Sequence, residues 1–306
     1  MNTKTKILIS ITMVLTLALA AEVANSEIIF GTPTNLGPDI NSSNNEGSPS
    51  VSADGLELYF SSNRPDGFGG NDIWVARRPT KYGKWGKAVN LGPIVNSSAA
   101  EVAPCISADG LEIYFSDYRA NYPGGIGKTD LWVSRRSTKY GKWGKPVNLG
   151  SAVNSSSDEI TQEISYDGLE IYFESDRPGG LGSDDLWVAK RATKRDEWAT
   201  AVWLGPTLNT SGMEHCPNIS SDGLTLFFDL TPAGKKIGDL MVTRRATINS
   251  DWGEPANLGH LASAHWASSI SADGSTLYFA SKRPGGSGGN DIWQVPISRN
   301  GSPVSK

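Results

Sequence analysis

One short sequence motif recurs five times along the chain, and this repetition restricts the possible fold more than any other feature. An Asp-Gly pair between apolar, alternating segments begins at Asp54, Asp109, Asp167, Asp222 and Asp273. A second series, an aspartate followed by Leu or Ile, comes after each pair, at Asp72, Asp130, Asp185, Asp239 and Asp291. Self-similarity at a fixed long period is typical of propellers and solenoids.

Each repeat contains four extended segments. In the first repeat they are "PSVSA", "LELYFSS", "IWVARR" and "WGKAVNLG". Asp-Gly between alternating apolar segments indicates a hairpin, because both residues tolerate the positive φ of a tight turn. Four short antiparallel strands per repeat predict one propeller blade.

The two ends of the chain are complementary. The fifth repeat ends after its third strand, "DIWQVPIS", whereas "FGTPTNLG" near the N-terminus matches "WGKAVNLG" of the first repeat. We therefore predict an all-β fold, a five-bladed β-propeller of four-stranded antiparallel blades, closed by an N-terminal strand that completes the last blade. An open solenoid is the competing interpretation, and the complementary ends disfavour it.

The wording "ISADGLEIYFSDYR…GG…DLWV" resembles the WD40-like repeat of the TolB propeller group. The resemblance covers residues 28 to 297 and implies a TolB-like β-propeller repeat protein of an exported, five-repeat type. TolB itself has six blades and a separate N-terminal domain, so the resemblance implies the fold and does not transfer TolB's role.

The first residues differ in kind from the repeats. Lys4 and Lys6 precede the apolar segment 7–20, and small residues follow it, which is the pattern of a cleaved signal peptide. We predict a signal peptide over 1–26, one propeller over 27–298 and a C-terminal tail over 299–306. An uncleaved anchor is the alternative, although the apolar segment is short for a bilayer. Export places the protein in the periplasm or outside the cell, with no membrane span after cleavage.

Charge and cysteine content restrict the partners. A formal charge of -4 provides no basic surface for phosphates, so nucleic acid is not expected as a partner. Cys105 and Cys216 are the only cysteines. In an oxidising compartment they are either a disulfide or two buried thiols, and sequence alone leaves both open.

The loop that enters each blade carries a repeated charged position. It is Glu in the first four blades and His in the fifth: Glu46, Glu101, Glu159, Glu214 and His265. Arginines are expected in the neighbouring loops, at Arg64, Arg119, Arg177 and Arg283. We predict a ligand-binding ring at the mouth of the channel. The alternative is a lattice of structural ion pairs between blades.

Blades four and five break this pattern. His215 and Cys216 follow Glu214, and Trp266 follows His265. Such groups could bind a divalent metal, although neighbouring residues on a strand point to opposite faces. An imidazole and an indole facing carboxylates could instead hold a sugar or a peptide. No other cofactor is predicted.

Repetition of the same face residues favours recognition over chemistry. We therefore expect a binding or scaffold module in the cell envelope or outside the cell, whose partner is a protein or a glycan. The alternative is a glycoside hydrolase or lyase that uses carboxylates at the channel mouth, with Glu101, Glu159 and Glu214 as candidates.

Overall fold

A computed structural model describes residues 28–118, 124–259 and 268–299. These residues form strands, turns and loops and contain no helix, so no helix in this part of the chain could cross a membrane. The predicted signal peptide and most of the predicted tail lie outside the described residues. Before the first complete blade come two short strands, β1 (Ile28–Phe30) and β2 (Thr34–Asn35).

Four complete blades follow, each a four-stranded antiparallel sheet in chain order. Blade one contains β3 (Glu46–Val51), β4 (Glu57–Ser62), β5 (Asp72–Arg77) and β6 (Val89–Asn90). Blade two contains β7 (Glu101–Ile106), β8 (Glu112–Asp117), β9 (Asp130–Arg135) and β10 (Val147–Asn148). Blade three contains β11 (Glu159–Ile164), β12 (Glu170–Ser175), β13 (Asp185–Lys190) and β14 (Val202–Trp203). Blade four contains β15 (Met213–Ile219), β16 (Thr225–Thr231), β17 (Asp239–Arg244) and β18 (Ala256–Asn257).

Blade five joins the two ends of the chain. Its first three strands are β19 (Ser268–Ile270), β20 (Thr276–Ser281) and β21 (Asp291–Arg299). Strand β2 pairs with β21 as the fourth strand, with Asn35 opposite Trp293. Strand β1 pairs further along β21, with Phe30 opposite Ile297. The predicted five-bladed ring and its N-terminal closure are confirmed, and β1 adds pairing that the repeat comparison did not indicate.

The fourth strands are shorter than the sequence repeat suggests, since each pairs over only two residues. Two residues after each fourth strand comes a glycine whose backbone is in the left-handed region, such as Gly92 with φ of 86°. The Asn90 side chain accepts a hydrogen bond from the Gly92 N–H at 2.7 Å. The chain therefore turns away from the sheet after Asn90.

Hydrophobic packing lies between the blades. Five clusters of buried residues each join two adjacent sheets, including blades five and one. Trp143 of blade two meets Tyr59 of blade one edge-on at 6.3 Å, and Trp252 meets Tyr172 in the same way. These tryptophans, which come just before the fourth strands, thus stabilise the contact between neighbouring blades, because buried aromatic rings contribute large apolar contact areas.

The first strands of the blades surround the central axis. Strand β3 contacts β7 and β19, and β11 contacts β7 and β15. Blades one to four each have a bulge there, with one residue at positive φ: Ser48, Ala103, Thr161 and Cys216. The bulge bends each strand beside the axis and re-aims the neighbouring side chains.

Candidate functional site

Two faces of the ring differ in their loops. The loops that enter β3, β7, β11 and β15, together with the loops that join second to third strands, form what we call the entry face. The Asp-Gly turns and the loops between third and fourth strands form the opposite turn face. On the entry face, Asp72 accepts a hydrogen bond from the Phe68 N–H at 2.6 Å and one from the Asn90 side chain at 2.7 Å. The aspartates that open the third strands thus have the structural role expected of such loops.

The predicted glutamate–arginine partners meet in blades one and three. Arg64 Nη2 lies 3.0 Å from Glu46 Oε1, and Arg177 Nη2 lies 2.9 Å from Glu159 Oε1. Glu46 also accepts hydrogen bonds from the Ser42 N–H and hydroxyl at 2.8 and 2.7 Å, and from the Ser62 hydroxyl at 2.8 Å. Its carboxylate is fully buried.

This arrangement differs from the alternative interpretation, a lattice of ion pairs between blades, because both partners belong to the same blade. Glu46 begins the first strand and Arg64 follows the second strand of the same blade. Arg64 also donates to the Ile40 carbonyl of the entering loop. Each pair therefore holds the entering loop of its own blade in place. The arginine supplies hydrogen bonds to a buried carboxylate and to a loop carbonyl, and buried polar groups need such partners. Glu101 is likewise fully buried, and the Ser97 hydroxyl and N–H donate to it.

Arg283 of blade five stacks over two aromatic rings, 4.6 Å from the centre of Phe279 and 5.2 Å from that of Trp293. Arg119, His265 and Trp266 lie outside the described residues. Their predicted roles in a ligand-binding ring stay predictions.

Blade four departs from the pattern of blades one and three. Glu214 is fully buried and accepts the Thr210 hydroxyl at 2.6 Å, but its Oε2 has no hydrogen-bond partner among the described residues. Burial raises the pKa of Glu214. In the corresponding loop of this blade the cationic residues are Lys235 and Lys236 in place of an arginine, and both are exposed. The entry-face pair is therefore not repeated here.

Beside Glu214, the structure brings together acidic groups and an imidazole between blades three and four. We call Glu174, Asp184, His215 and Asp229 the acid–histidine cluster. His215 is paired with Asp229 across β15 and β16, and its Nε2 lies 3.2 Å from the Thr231 hydroxyl. Glu174 Oε2 accepts the Cys216 N–H at 3.0 Å and the Thr161 hydroxyl.

The environment of the cluster perturbs its titration. Burial raises the pKa of Glu174 to about 7. Burial and the nearby Glu174 carboxyl raise the pKa of Asp229 to about 8. Burial also raises the pKa of Asp184 to about 6 and lowers that of His215, which the Asp184 carboxylate partly offsets. Near neutral pH these pKa values leave Asp229 largely protonated, Glu174 partly protonated and Asp184 ionised beside a neutral imidazole, so the cluster can both donate and accept hydrogen bonds.

The cluster becomes more accessible towards the entry face. Glu174 is buried, Asp229, Asp184 and His215 are half-buried, and Asp176 is exposed. At the rim, Lys128 Nζ lies 3.5 Å from Asp158 and 3.6 Å from Asp176. Tyr118 stands nearby, 48% exposed, and its pKa is raised by burial and by the Glu174 carboxylate. The arrangement is a polar cluster with charged groups and an aromatic side chain at its exposed edge.

The structure places the two cysteines and the residues considered as metal ligands. Cys105 and Cys216 are both buried thiols and form no disulfide with each other. In the described part of the chain, no three His, Cys, Asp or Glu side chains are placed to hold a metal ion together. His215 and Cys216 are consecutive residues of β15, and His215 turns to Thr231.

The sequence interpretation missed two acidic members of this cluster, Glu174 and Asp229. Glu174 and Asp229 occupy one repeat position on the second strand, where the other blades have Ser61, Ser116 and Ala280. A carboxyl group at a position that otherwise takes a small residue is a detectable signal. Aligning the second strands as closely as the entering loops would have found it.

The fold is similar to that of solved propellers of two kinds. TolB from Acinetobacter baumannii superposes with a TM-score of 0.52 at 15% identity, over 84% of this chain and 55% of TolB. The endo-arabinase from Bacteroides thetaiotaomicron VPI-5482 superposes with a TM-score of 0.58 at 13% identity, over 84% of this chain and 96% of the arabinase. The catalytic domain of the Coprinopsis cinerea GH62 α-L-arabinofuranosidase gives 0.57 at 12% identity, over 90% and 99% of the two chains.

No family profile and no curated protein matches the sequence. At these identities the structural likeness establishes the fold alone, and the chain spans 55% of the length of the Acinetobacter TolB. The fold is a TolB-like β-propeller, as the resemblance predicts. Both TolB and glycoside hydrolases are among the structurally similar proteins, so function must be argued from the site.

Proposed function

We propose that the protein is an exported binding module of the cell envelope or the extracellular space, and that it holds its ligand on the entry face at the acid–histidine cluster. One observation carries the proposal. Carboxyl groups occupy the second-strand position only in blades three and four, and both belong to this cluster. A group of titratable side chains whose pKa values are shifted by burial and by one another is a candidate functional site.

The chemistry of the cluster favours a hydroxyl-rich ligand such as a glycan. The largely protonated Asp229, the ionised Asp184, a neutral imidazole and the hydroxyls of Thr161 and Thr231 provide both donors and acceptors, which is what sugar hydroxyls require. Tyr118 provides an exposed aromatic ring at the rim. The proposal of export rests on the signal-like residues 1–26, and residues 27–298 are assigned to the propeller.

The test is a thermal-shift screen of the mature protein against oligosaccharides and peptidoglycan fragments, since a ligand that binds only the folded state raises the melting temperature. Glu174→Ser and Asp229→Ser give these blades the residue that blades one and two already have, so each variant suits its position. We expect both to abolish the shift, whereas the matched control Ser61→Ala in blade one keeps it. A shift that survives both cluster variants would place the ligand elsewhere. No shift with any glycan, combined with capture of an envelope protein that depends on Asp229, would make the ligand a protein.

A second candidate function, glycoside hydrolysis, rests on the Glu174 and Asp229 pair. A general acid needs a pKa near the working pH, and these two carboxyls have values of about 7 and 8. Glu101 and Glu159 are less suited to this role, because hydrogen bonds from serines of their own loops already occupy their carboxylates. Release of reducing sugar from arabinan oligosaccharides that is lost in Glu174→Gln would support hydrolysis. Binding without release in the wild-type protein would reject it.

A further inference from the structure

The turn face carries a repeated contact in which one blade binds a carboxylate of its neighbour. Glu57 of blade one accepts the Tyr59 hydroxyl at 3.0 Å and Arg136 Nη2 of blade two at 2.9 Å, both on Oε2. The same three residue types meet at the next two junctions. Glu112 accepts the Tyr114 hydroxyl at 2.7 Å and lies 3.4 Å from Arg191 Nη2. Glu170 accepts the Tyr172 hydroxyl at 2.7 Å and Arg245 Nη2 at 2.7 Å.

At the junction of blades five and one, the two donors are present without the carboxylate. Thr276 stands at the glutamate position, while Tyr278 and Arg78 occupy the other two. Arg78 Nε donates to the Gly55 carbonyl at 2.6 Å, as Arg136 Nε donates to Gly110 at 2.7 Å. The guanidinium is therefore held in the orientation of its counterparts. Its Nη2 lies 3.4 Å from the Tyr278 hydroxyl.

The junction of blades four and five shows the other possible outcome. There the glutamate, tyrosine and arginine positions are occupied by Thr225, Phe227 and Ile297, so the contact is lost as a whole. Only at the five–one junction are the cation and the hydroxyl kept while the anion is absent.

A cavity opens where that anion would lie. It has a volume of about 810 Å³ and is lined by Arg78, Tyr278 and Thr276, with Lys84 and Trp85 beside them. Arg78 is half-buried, whereas Arg136, Arg191 and Arg245 are buried. Its guanidinium lies 4.1 Å from the centre of the Trp85 ring, which fixes its plane. Cavities of this size hold small molecules, and a planar arginine suits a carboxylate.

We propose that this cavity binds a small organic acid, whose carboxylate takes the place of the missing glutamate side chain and receives hydrogen bonds from Arg78 Nη2 and the Tyr278 hydroxyl. The three filled junctions serve as templates for the contact, because they show the same donors around one carboxylate oxygen. The volume leaves room for the rest of a sugar acid or dicarboxylate. The site lies on the turn face and is independent of the function proposed for the entry face.

The test compares melting temperatures in D-glucuronate, succinate and sulfate, with D-glucose as the neutral arm and sodium chloride at matched ionic strength. We expect both carboxylates to raise the melting temperature progressively with concentration. A glucuronate shift larger than the succinate shift assigns a sugar acid, and the reverse assigns a dicarboxylate. An equal rise with sulfate would overturn a carboxylate-specific site.

Two variants separate this site from general anion effects. Thr276→Glu supplies the carboxylate from the chain itself, so it should raise the melting temperature without ligand and abolish the shift. Arg78→Gln should abolish the shift by removing the donor. The control Arg136→Gln, at a filled junction, should lower the melting temperature yet keep the shift. A carboxylate shift that persists in both Thr276→Glu and Arg78→Gln, or no carboxylate shift in the wild-type protein, overturns the proposal.

Discussion

Glu174→Gln should stabilise the protein at alkaline pH, which is unusual for a change at a buried position. Burial raises the pKa of Glu174 from 4.5 to about 7. The folded state therefore keeps its proton to higher pH than the unfolded state. The stability that this group contributes is complete below pH 4.5 and is lost as pH rises to about 7. At ~1.4 kcal/mol per pKa unit, the loss is about 3 kcal/mol.

Glutamine has the shape of the protonated acid and does not titrate. Its carbonyl can still accept the hydrogen bonds of Thr161 and Cys216. We therefore expect the variant to match the wild-type protein near pH 4.5 and to exceed its free energy of unfolding by about 3 kcal/mol at pH 8. Urea denaturation across this pH range measures the difference.

Glu170→Gln on the same strand is the matched control. Burial opposes ionisation of Glu170, but hydrogen bonds from Arg245, Lys190 and Tyr172 outweigh it and lower its pKa. Its stabilising contribution is present above the unfolded-state pKa and is lost as pH falls. The control should therefore be destabilising at pH 8, with a penalty that shrinks towards acid pH. If Glu174→Gln destabilises the protein equally at pH 4.5 and pH 8, the account of the cluster's electrostatics is wrong.

Three further predictions concern the scaffold. Deleting residues 28–37 removes β1 and β2 and should lower the melting temperature severely in calorimetry, because blade five then exposes the edge of β21; a truncated protein that melts like the full one would contradict ring closure. Arg64→Ala leaves the fully buried Glu46 without its cation and should cost about 3–5 kcal/mol in urea denaturation, whereas a cost under about 1 kcal/mol would show that the pair is unimportant. Both cysteines are buried, and burial raises the pKa of Cys105 well above its usual value, so a thiol reagent should react only on unfolding; rapid labelling of the native protein would refute this.

The architecture could be predicted from the sequence because it is repeated. Asp-Gly turns, alternating apolar segments and complementary ends all point to one closed ring, and β2 pairs with β21 as the end comparison requires. Agreement between local turn chemistry and global closure makes such predictions reliable. The repeat does not predict how long each strand is. The fourth strands pair over only two residues, because the following glycine turns the chain away from the sheet.

The site was harder to predict, because sequence gives the residue type but not its exposure. The entry-face glutamates recur, which suggested a ring around the channel, yet Glu46 and Glu159 lie buried against Arg64 and Arg177. Repetition here reflects a structural requirement of every blade. Departures from the repeat were more informative: Glu174 and Asp229 replace small residues, and Thr276 replaces a glutamate.

The most direct test of the central claim is titration calorimetry with the glycan that gives the largest thermal shift, comparing the wild-type protein with Asp229→Ser and Thr276→Glu. Binding on the entry face predicts that Asp229→Ser loses the heat of binding while Thr276→Glu, altered on the opposite face, binds like the wild-type protein. Unchanged binding by Asp229→Ser would contradict the assignment of the acid–histidine cluster as the ligand site.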